Sequence, residues 1–352
     1  MRLFDLYIEN LEIPFRVPFE HASATRAMTE AVLVTAETED KLQGIGEGCP
    51  RRYVTGETLE TAYDFFKVHR PDLLNIGTLD DLKSWVEINR IEIDKNPAAF
   101  CAVELSLLAV LAKQLEQSID TLLSLPDLSG EFRYTGVIGA RNPKNFQTQL
   151  QQYLRLGFTD FKVKVFGDEK KDRANILAVR RCGHDNVRVR LDANNLWSDW
   201  REAATYIKTL DYPFFGLEEP LGVRDFGGCK TLFEELEIPI ILDESFTKQR
   251  DFDHIHTNPE SWIINIRISK MGGILRSLAV AEESKKQGIP IIVGAQVGET
   301  SILTRAALTI ANNFRSILLA QEGAFGTYLL ERDVIDPPII FGKGGILTAE
   351  QI

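Results

Sequence analysis

Five charged residues recur at nearly even intervals in the second half of the chain. They are Lys164, Asp192, Glu218, Asp243 and Lys270, separated by 28, 26, 25 and 27 residues. One strand-plus-helix unit of a parallel barrel takes about 30 residues. Each of the five falls at the C-terminal end of a short apolar run. The spacing predicts that five successive strands bring one charged group each to the same rim, where barrel enzymes keep their active sites. Three of the groups are carboxylates. Gathered at one mouth they repel unless a cation lies between them. An all-oxygen set suits a hard divalent ion, Mg²⁺ or in its place Mn²⁺. The competing reading pairs the acids with Arg188, Arg190 or Arg267 on neighbouring strands. Glu219 and Glu244 adjoin two of the acids, but neighbours on a strand point to opposite sides. Glu218 and Asp243 are the preferred ligands.

The lysines suggest what the cation would serve. In Phe161-Lys162-Val163-Lys164-Val165 both lysines face one side and the apolar residues face the other. In a barrel the apolar side packs on helices, so the lysines point inward. A free lysine, with a pKa near ~10.4, is a poor base at neutral pH. A second ammonium and a divalent cation nearby both disfavour its protonated form. Lys164 is therefore the candidate general base, with Lys162 tuning it and holding substrate negative charge. Lys270 is expected on the opposite wall as a second acid/base. Lysine, Mg²⁺ and a carboxylate substrate together suggest removal of the proton α to a carboxylate, through an enediolate.

These groups need a frame. Eight short runs fit strands: Thr135–Gly139, Phe161–Val165, Val187–Asp192, Phe214–Glu218, Pro239–Asp243, Ile263–Lys270, Pro290–Gly294 and Ser316–Gln321. Amphipathic stretches such as Asn142–Leu156, Lys170–Cys182, Asp199–Leu210 and Leu275–Gln287 lie between them. Alternating β and α units imply an α/β fold with a parallel sheet, and eight strands imply a modified (β/α)₈ barrel over residues 121–330. A doubly wound open sheet is the alternative. Residues 1–120 read as strands followed by helices, an α+β capping domain. The tail from about 331 to 352 is loop-rich and is expected to pack outside the barrel.

The totals agree with an enzyme. The 352 residues are 44% hydrophobic and 26% charged, with net charge −11. An acidic chain does not suit nucleic-acid binding, which needs a basic footprint. No apolar stretch approaches the ~20 residues of a membrane helix. The four cysteines form no CxxC pair and are expected to be reduced thiols, consistent with a cytoplasmic protein. His21, His69, His184, His254 and His256 all lie off the predicted strand ends, which disfavours a histidine-ligated hydrolase.

Taken together, Lys162-Val163-Lys164, Asp192-Ala193-Asn194, Glu218-Glu219-Pro220, Asp243-Glu244-Ser245 and Lys270-Met271-Gly272-Gly273 resemble the enolase superfamily, in its muconate-lactonizing branch. That superfamily pairs a Lys or His base with Mg²⁺. The resemblance implies a cap whose loops select the substrate and a barrel with an incomplete last βα unit, which fits the short, loop-rich tail here. Phe19 to Arg26 and Pro50 to Thr58 resemble those loops, the second most like dipeptide epimerases. Arg26 is then a candidate for a substrate carboxylate or acyl oxygen. Thr135, Asn194, Gln296 and Glu322 are further candidates for substrate contact. At the eighth strand the chain departs from the dipeptide epimerases: their Asp-x-Asp, which holds an ammonium group, is replaced by Ala320-Gln321-Glu322-Gly323. The expected reaction is racemisation or epimerisation of a small carboxylate, an N-acylamino acid or dipeptide-like acid. Alternatives are a lyase or cycloisomerase, as in o-succinylbenzoate synthase or muconate cycloisomerase, and a barrel without catalysis. A homo-oligomer is expected.

Overall fold

The β-branched N-terminal stretches pair as antiparallel strands in a computed structural model, which describes residues 2–20, 25–182 and 186–352. In chain order they are β1 (Leu3–Leu11), β2 (Pro14–Glu20), β3 (Thr25–Met28), β4 (Ala31–Thr38) and β5 (Gln43–Gly48). The order β1-β4-β5 makes one sheet, and β2 with β3 makes a separate ribbon. Helices α1 (Leu59–Leu73), α2 (Leu79–Ile88), α3 (Arg90–Lys95) and α4 (Pro97–Gln114) follow. The glycines of β5 have a packing reason. A Cβ on Gly44, Gly46 or Gly48 would lie 2.2, 2.0 or 1.9 Å from the carbonyl oxygen of Ser106, Ala102 or Ala98. Those helix residues are four apart, so β5 lies directly along the backbone of α4, and a side chain at any of the three would lever the sheet away.

After α5 (Ile119–Leu122) and β6 (Glu131–Arg133) comes the barrel. Its strands are β7 (Gly136–Ile138), β8 (Asp160–Lys164), β9 (Arg188–Asp192), β10 (Leu217–Glu218), β11 (Ile240–Leu242), β12 (Trp262–Ile266), β13 (Ile291–Val293) and β14 (Leu318–Gln321). They pair in parallel, each with the next in sequence. The Thr135 N–H donates to Gln321 O at 2.7 Å, bringing the first strand to the last and closing the ring. The outer helices are α6 (Pro143–Leu156), α7 (Glu169–Arg180), α8 (Trp200–Leu210), α9 (Phe226–Leu236), α11 (Ile274–Gln287) and α12 (Ser301–Asn313), with one short turn, α10 (Ile268–Met271), before α11. Their starts follow from capping. Asn142 and Asp199 accept the N–H of Lys144 and Arg201, satisfying otherwise orphaned donors at α6 and α8.

One element differs from the sequence expectation. The sixth strand does not run on to Lys270; it ends at Ile266, and residues 268–271 form the helical turn α10. The left-handed φ of Gly272 (+84°) and Gly273 (+102°) then lets the chain enter α11 at once. The tail covers the seam between β14 and β7. Its strand β15 (Ile346–Thr348) pairs with β6, and Phe341 packs among Tyr134, Phe158, Phe325 and Tyr328.

Buried glutamates of the cap hold helix ends of the barrel. Glu47 on β5 accepts the N–H and hydroxyl of Thr300, the N-cap of α12. Glu104 on α4 accepts the N–H groups of Ile274 and Leu275, the first residues of α11. A Cβ on Gly273 would meet Glu104 Oε2 at 2.1 Å, so this capping also requires glycine there. Burial pushes Glu104 up to about 8 and Glu47 to about 7, against the pull of the N–H groups they accept. Both folded-state values lie above the unfolded value, so the protonated form favours folding. The stability they contribute is full below about pH 4.5 and is lost as pH rises toward 8. The unfolding free energy measured by urea titration is expected to fall between pH 5.5 and 8.5, by up to about 1.4 kcal/mol per pH unit for each group. Glu104→Gln should flatten part of that slope; an unchanged slope would show that Glu104 keeps the same charge throughout.

Candidate active site

Strand alternation places the two lysines of β8 as their spacing requires. Lys162 and Lys164 are buried, project inward and line a cavity of about 310 Å³. Lys164 Nζ lies 2.8 Å from Asn194 Oδ1 and 3.3 Å from Asp192 Oδ2. Lys162 Nζ reaches Glu322 Oε2 at 2.9 Å, Glu218 Oε1 at 3.1 Å and Asp192 Oδ2 at 3.8 Å. Burial works against its charge, but Glu218, Glu322 and Asp192 outweigh burial and hold Lys162 above the usual lysine range. It is thus a fixed ammonium.

Asp192, Glu218 and Asp243 end three adjacent strands or follow them directly, and all three are buried. Among the described residues no three acidic, histidine or cysteine side chains are gathered closely enough to hold a metal ion as they stand. The reason is local: cations lie between the acids. The guanidinium of Arg267 pairs with Asp243 and comes within 3.8 Å of Glu218, and Lys162 bridges Glu218 and Asp192. This is in part the arginine pairing weighed in the sequence. The donor set nonetheless fits a hard cation. It is all carboxylate, and Glu218 Oε2 is buried without a hydrogen-bond partner. Burial pushes Glu218 up to about 7 even with Lys162 at 3.1 Å, Arg190 at 3.7 Å and Arg267 at 3.8 Å.

The rival acids separate. Glu219 accepts the N–H of Asp243 and both the N–H and hydroxyl of Ser245, so its carboxyl is committed to the loop after β11. Glu244 lines the cavity, and its Oε2 has no partner.

Lys270 is not brought to the cavity. Its Nζ donates to Asp243 O at 2.7 Å, Asn265 O at 2.7 Å and Asp243 Oδ1 at 3.0 Å, which uses all three N–H groups beneath Asp243. The residue that faces the cavity from this wall is Arg267, whose Nη1 donates to Gln296 Oε1 at 3.2 Å. Parity would have found it. Asn265 and Arg267 alternate with Ile264 and Ile266, so a strand that puts the isoleucines outward turns residue 267 inward. The sequence reading extended the strand through a helical turn and kept the wrong phase.

The other candidates divide. Asn194, Gln296 and Glu322 line the cavity. Thr135 does not; its hydroxyl donates to Asp160 Oδ1 at 2.6 Å in a network inside the barrel. Arg190 is fully buried there, joining Asp160 Oδ1 at 3.2 Å to Glu322. Glu322 is therefore compensated by both Arg190 and Lys162, which outweigh burial and hold it below the usual carboxylate range. Arg190→Met is expected to cost about 3–5 kcal/mol in chemical denaturation by leaving Asp160 only Thr135 and the more distant Arg188, and Glu322 half-paired; a loss under about 1 kcal/mol would mean the network is dispensable. Arg26 is buried, pairs with Glu30 at 3.0 Å, and lies 5.5 Å over the Tyr53 ring. Its Nη1 has no partner, and Tyr53 lines the cavity, although Arg26 itself does not. Residues 21–24 of the first cap loop lie outside the described residues.

A barrel with its candidate groups at the C-terminal ends of the strands, roofed by an α+β cap, defines the enolase-type class of enzyme. A family model described as "Enolase C-terminal domain-like" matches residues 145–351, more than half of the chain, which therefore belongs to that family and to the muconate-lactonizing branch of the enolase superfamily. The chain is 27% identical to the L-Ala-D/L-Glu epimerase of Bacillus subtilis, over 98% of this chain and 94% of that protein. It is 24% identical to the N-succinyl-L-Arg/Lys racemase of Bacillus cereus, over 88% of this chain and 84% of that one. Its fold matches the crystal structure of a dipeptide epimerase from Enterococcus faecalis V583, complexed with Mg and the dipeptide L-Leu-L-Tyr, with a TM-score of 0.84, 24% identity and coverage of 99% and 97%.

Proposed function

We propose that the protein removes the proton α to the carboxylate of a small acid, with Lys164 as the base and Asp192, Glu218 and Asp243 as ligands of Mg²⁺. The observation that carries this is the placement of the Lys164 amine at the cavity wall, 3.3 Å from Asp192, with Glu218 and Asp243 at the ends of the next two strands, just outside the cavity lining. When bound, Mg²⁺ supplies positive charge beside the carboxylate oxygens, where negative charge develops as the proton leaves. Lys164 takes the proton and Asn194 orients its amine. Lys162, held charged by Glu218 and Glu322, adds a second fixed cation for the enediolate. Arg267 donates from Nη1 to Gln296 and from Nη2 to Asp243, so its guanidinium stands between the cavity and that acid. The crystal complex with Mg in the Enterococcus epimerase supports the choice of ion.

The activities of the relatives support a racemase or epimerase acting on an N-acylamino acid or dipeptide-like acid. The second reading, a lyase or cycloisomerase, is favoured by the arginine on the far wall. Both begin with the same step. Mg²⁺-dependent uptake of deuterium at the α-carbon of N-succinyl-L-amino acids or L-Leu-L-Tyr in D₂O is the expected result, followed by NMR. Binding of these acids with Mg²⁺ but without any exchange would sink the reading.

A further inference from the structure

The two walls of the cavity carry different chemistry. Among the described residues, the lysines that line it are Lys162 and Lys164, both on β8. The opposite wall belongs to β12, four strands away in a ring of eight. The lysine of that wall, Lys270, has all three N–H groups donated to Asp243 and Asn265 and does not reach the cavity. What reaches it is Arg267. A guanidinium keeps its proton in proteins and has no lone pair to offer a C–H bond. Glu244 and Glu299 also line the cavity, with carboxyls that burial pushes well above the usual range, but they rise from the segments after β11 and β13 and not from the β12 wall that faces Lys164.

We infer that proton transfer occurs on one face of the substrate only, that of Lys164, and that Arg267 is a fixed anion anchor on the other. The inference rests on the proton abstraction proposed above and, of the two reactions that can follow it, selects elimination over inversion. Lys164 takes the α-proton, and the C–H electron pair moves into the carboxylate to form the enediolate. Two outcomes balance. The same ammonium returns a proton to the same face, which restores the starting configuration. Alternatively the electron pair forms a C=C bond and expels a group from the β-carbon, which leaves with its electrons and takes the proton from Lys164. Inversion is not among them, because it needs a proton donor on the face that Arg267 occupies. The geometry thus selects substrates bearing a β-leaving group. It gives Arg267 a use: its guanidinium, held by Gln296 at Nη1 and Asp243 at Nη2, presents fixed positive charge to a second anionic or carbonyl group of the substrate.

The test is the stereochemical course of exchange. The purified full chain with Mg²⁺ in D₂O is given N-succinyl-L-phenylalanine, L-Leu-L-Tyr and a β-hydroxy acid. Deuterium is read by NMR, configuration by chiral chromatography. The expected result is exchange with retention, or elimination from the hydroxy acid, with inversion at least about 100-fold slower than exchange, the usual worth of one acid/base group. Arg267→Lys supplies an amine on the far wall and is expected to raise the ratio of inversion to exchange at least about tenfold. Titration with Mg²⁺ alone checks that the variant keeps its metal site. Inversion by the wild type at a rate near that of exchange overturns the inference while leaving proton abstraction intact. An unchanged ratio in an Arg267→Lys variant that still binds Mg²⁺ also overturns it. Absence of any exchange in the wild type removes the proposed function and the inference with it.

Discussion

Lys164→Ala is expected to lower α-proton exchange by about 10³-fold while leaving the affinity for Mg²⁺ within a few-fold of wild type, because a positioned base is worth 10²–10⁴ in rate. The amine at this position has Asn194 and Asp192 as partners and faces the cavity. Its removal takes away the one cavity amine not locked into ion pairs with several acids. Lys162 cannot substitute, since Glu218, Glu322 and Asp192 hold its proton in place. Deuterium uptake measured beside a Mg²⁺ titration separates the two effects. Exchange that persists near the wild-type rate would remove Lys164 as the base.

Glu218→Gln should weaken Mg²⁺ binding at least about 100-fold. Loss of an outer-shell partner alone costs 10–100-fold, and a direct carboxylate ligand contributes more. Glu218 is the middle acid of three adjacent strand ends, and its Oε2 lacks any hydrogen-bond partner. The fold should survive, because Lys162 retains Glu322 and Asp192 as counter-charges. Calorimetric titration of the variant with Mg²⁺ is the measurement. Unchanged affinity would transfer the ligand role to Glu244, the other buried carboxyl with an unpartnered oxygen at this site.

The sequence exposed what depends on period. Eight apolar runs alternating with amphipathic stretches define a parallel barrel, and the two-residue alternation of Phe161 to Val165 sends both lysines inward. The 25- to 28-residue spacing also located the three acids. It failed for Lys270 because spacing counts residues without seeing conformation. A single helical turn after Ile266 carries residue 270 away from the rim, and Arg267 takes its place. Contacts between distant strands were equally hidden. Nothing local to Ala320-Gln321-Glu322 reveals that Arg190 and Lys162, on β9 and β8, neutralise Glu322. The role of Thr135 was lost for the same reason: its partner, Asp160, is set by barrel register. Glu47 and Glu104 carried no signal at all, since a glutamate in a strand or helix reads as solvated until a foreign helix end is set against it.

Those two glutamates bear on how such enzymes can be recombined. The chain divides on paper into a substrate-selecting cap and a catalytic barrel, which invites exchange of one against the other. Yet Glu47 and Glu104 complete two helices that belong to the barrel, one of them directly after the turn that carries Lys270. A graft that brings a relative's cap without carboxyls at these two places would leave α11 and α12 with bare ends and unsettle the cavity wall that carries Arg267. The exchangeable part is smaller than the domain: the loops that reach over the cavity, with β5 and α4 retained beneath them.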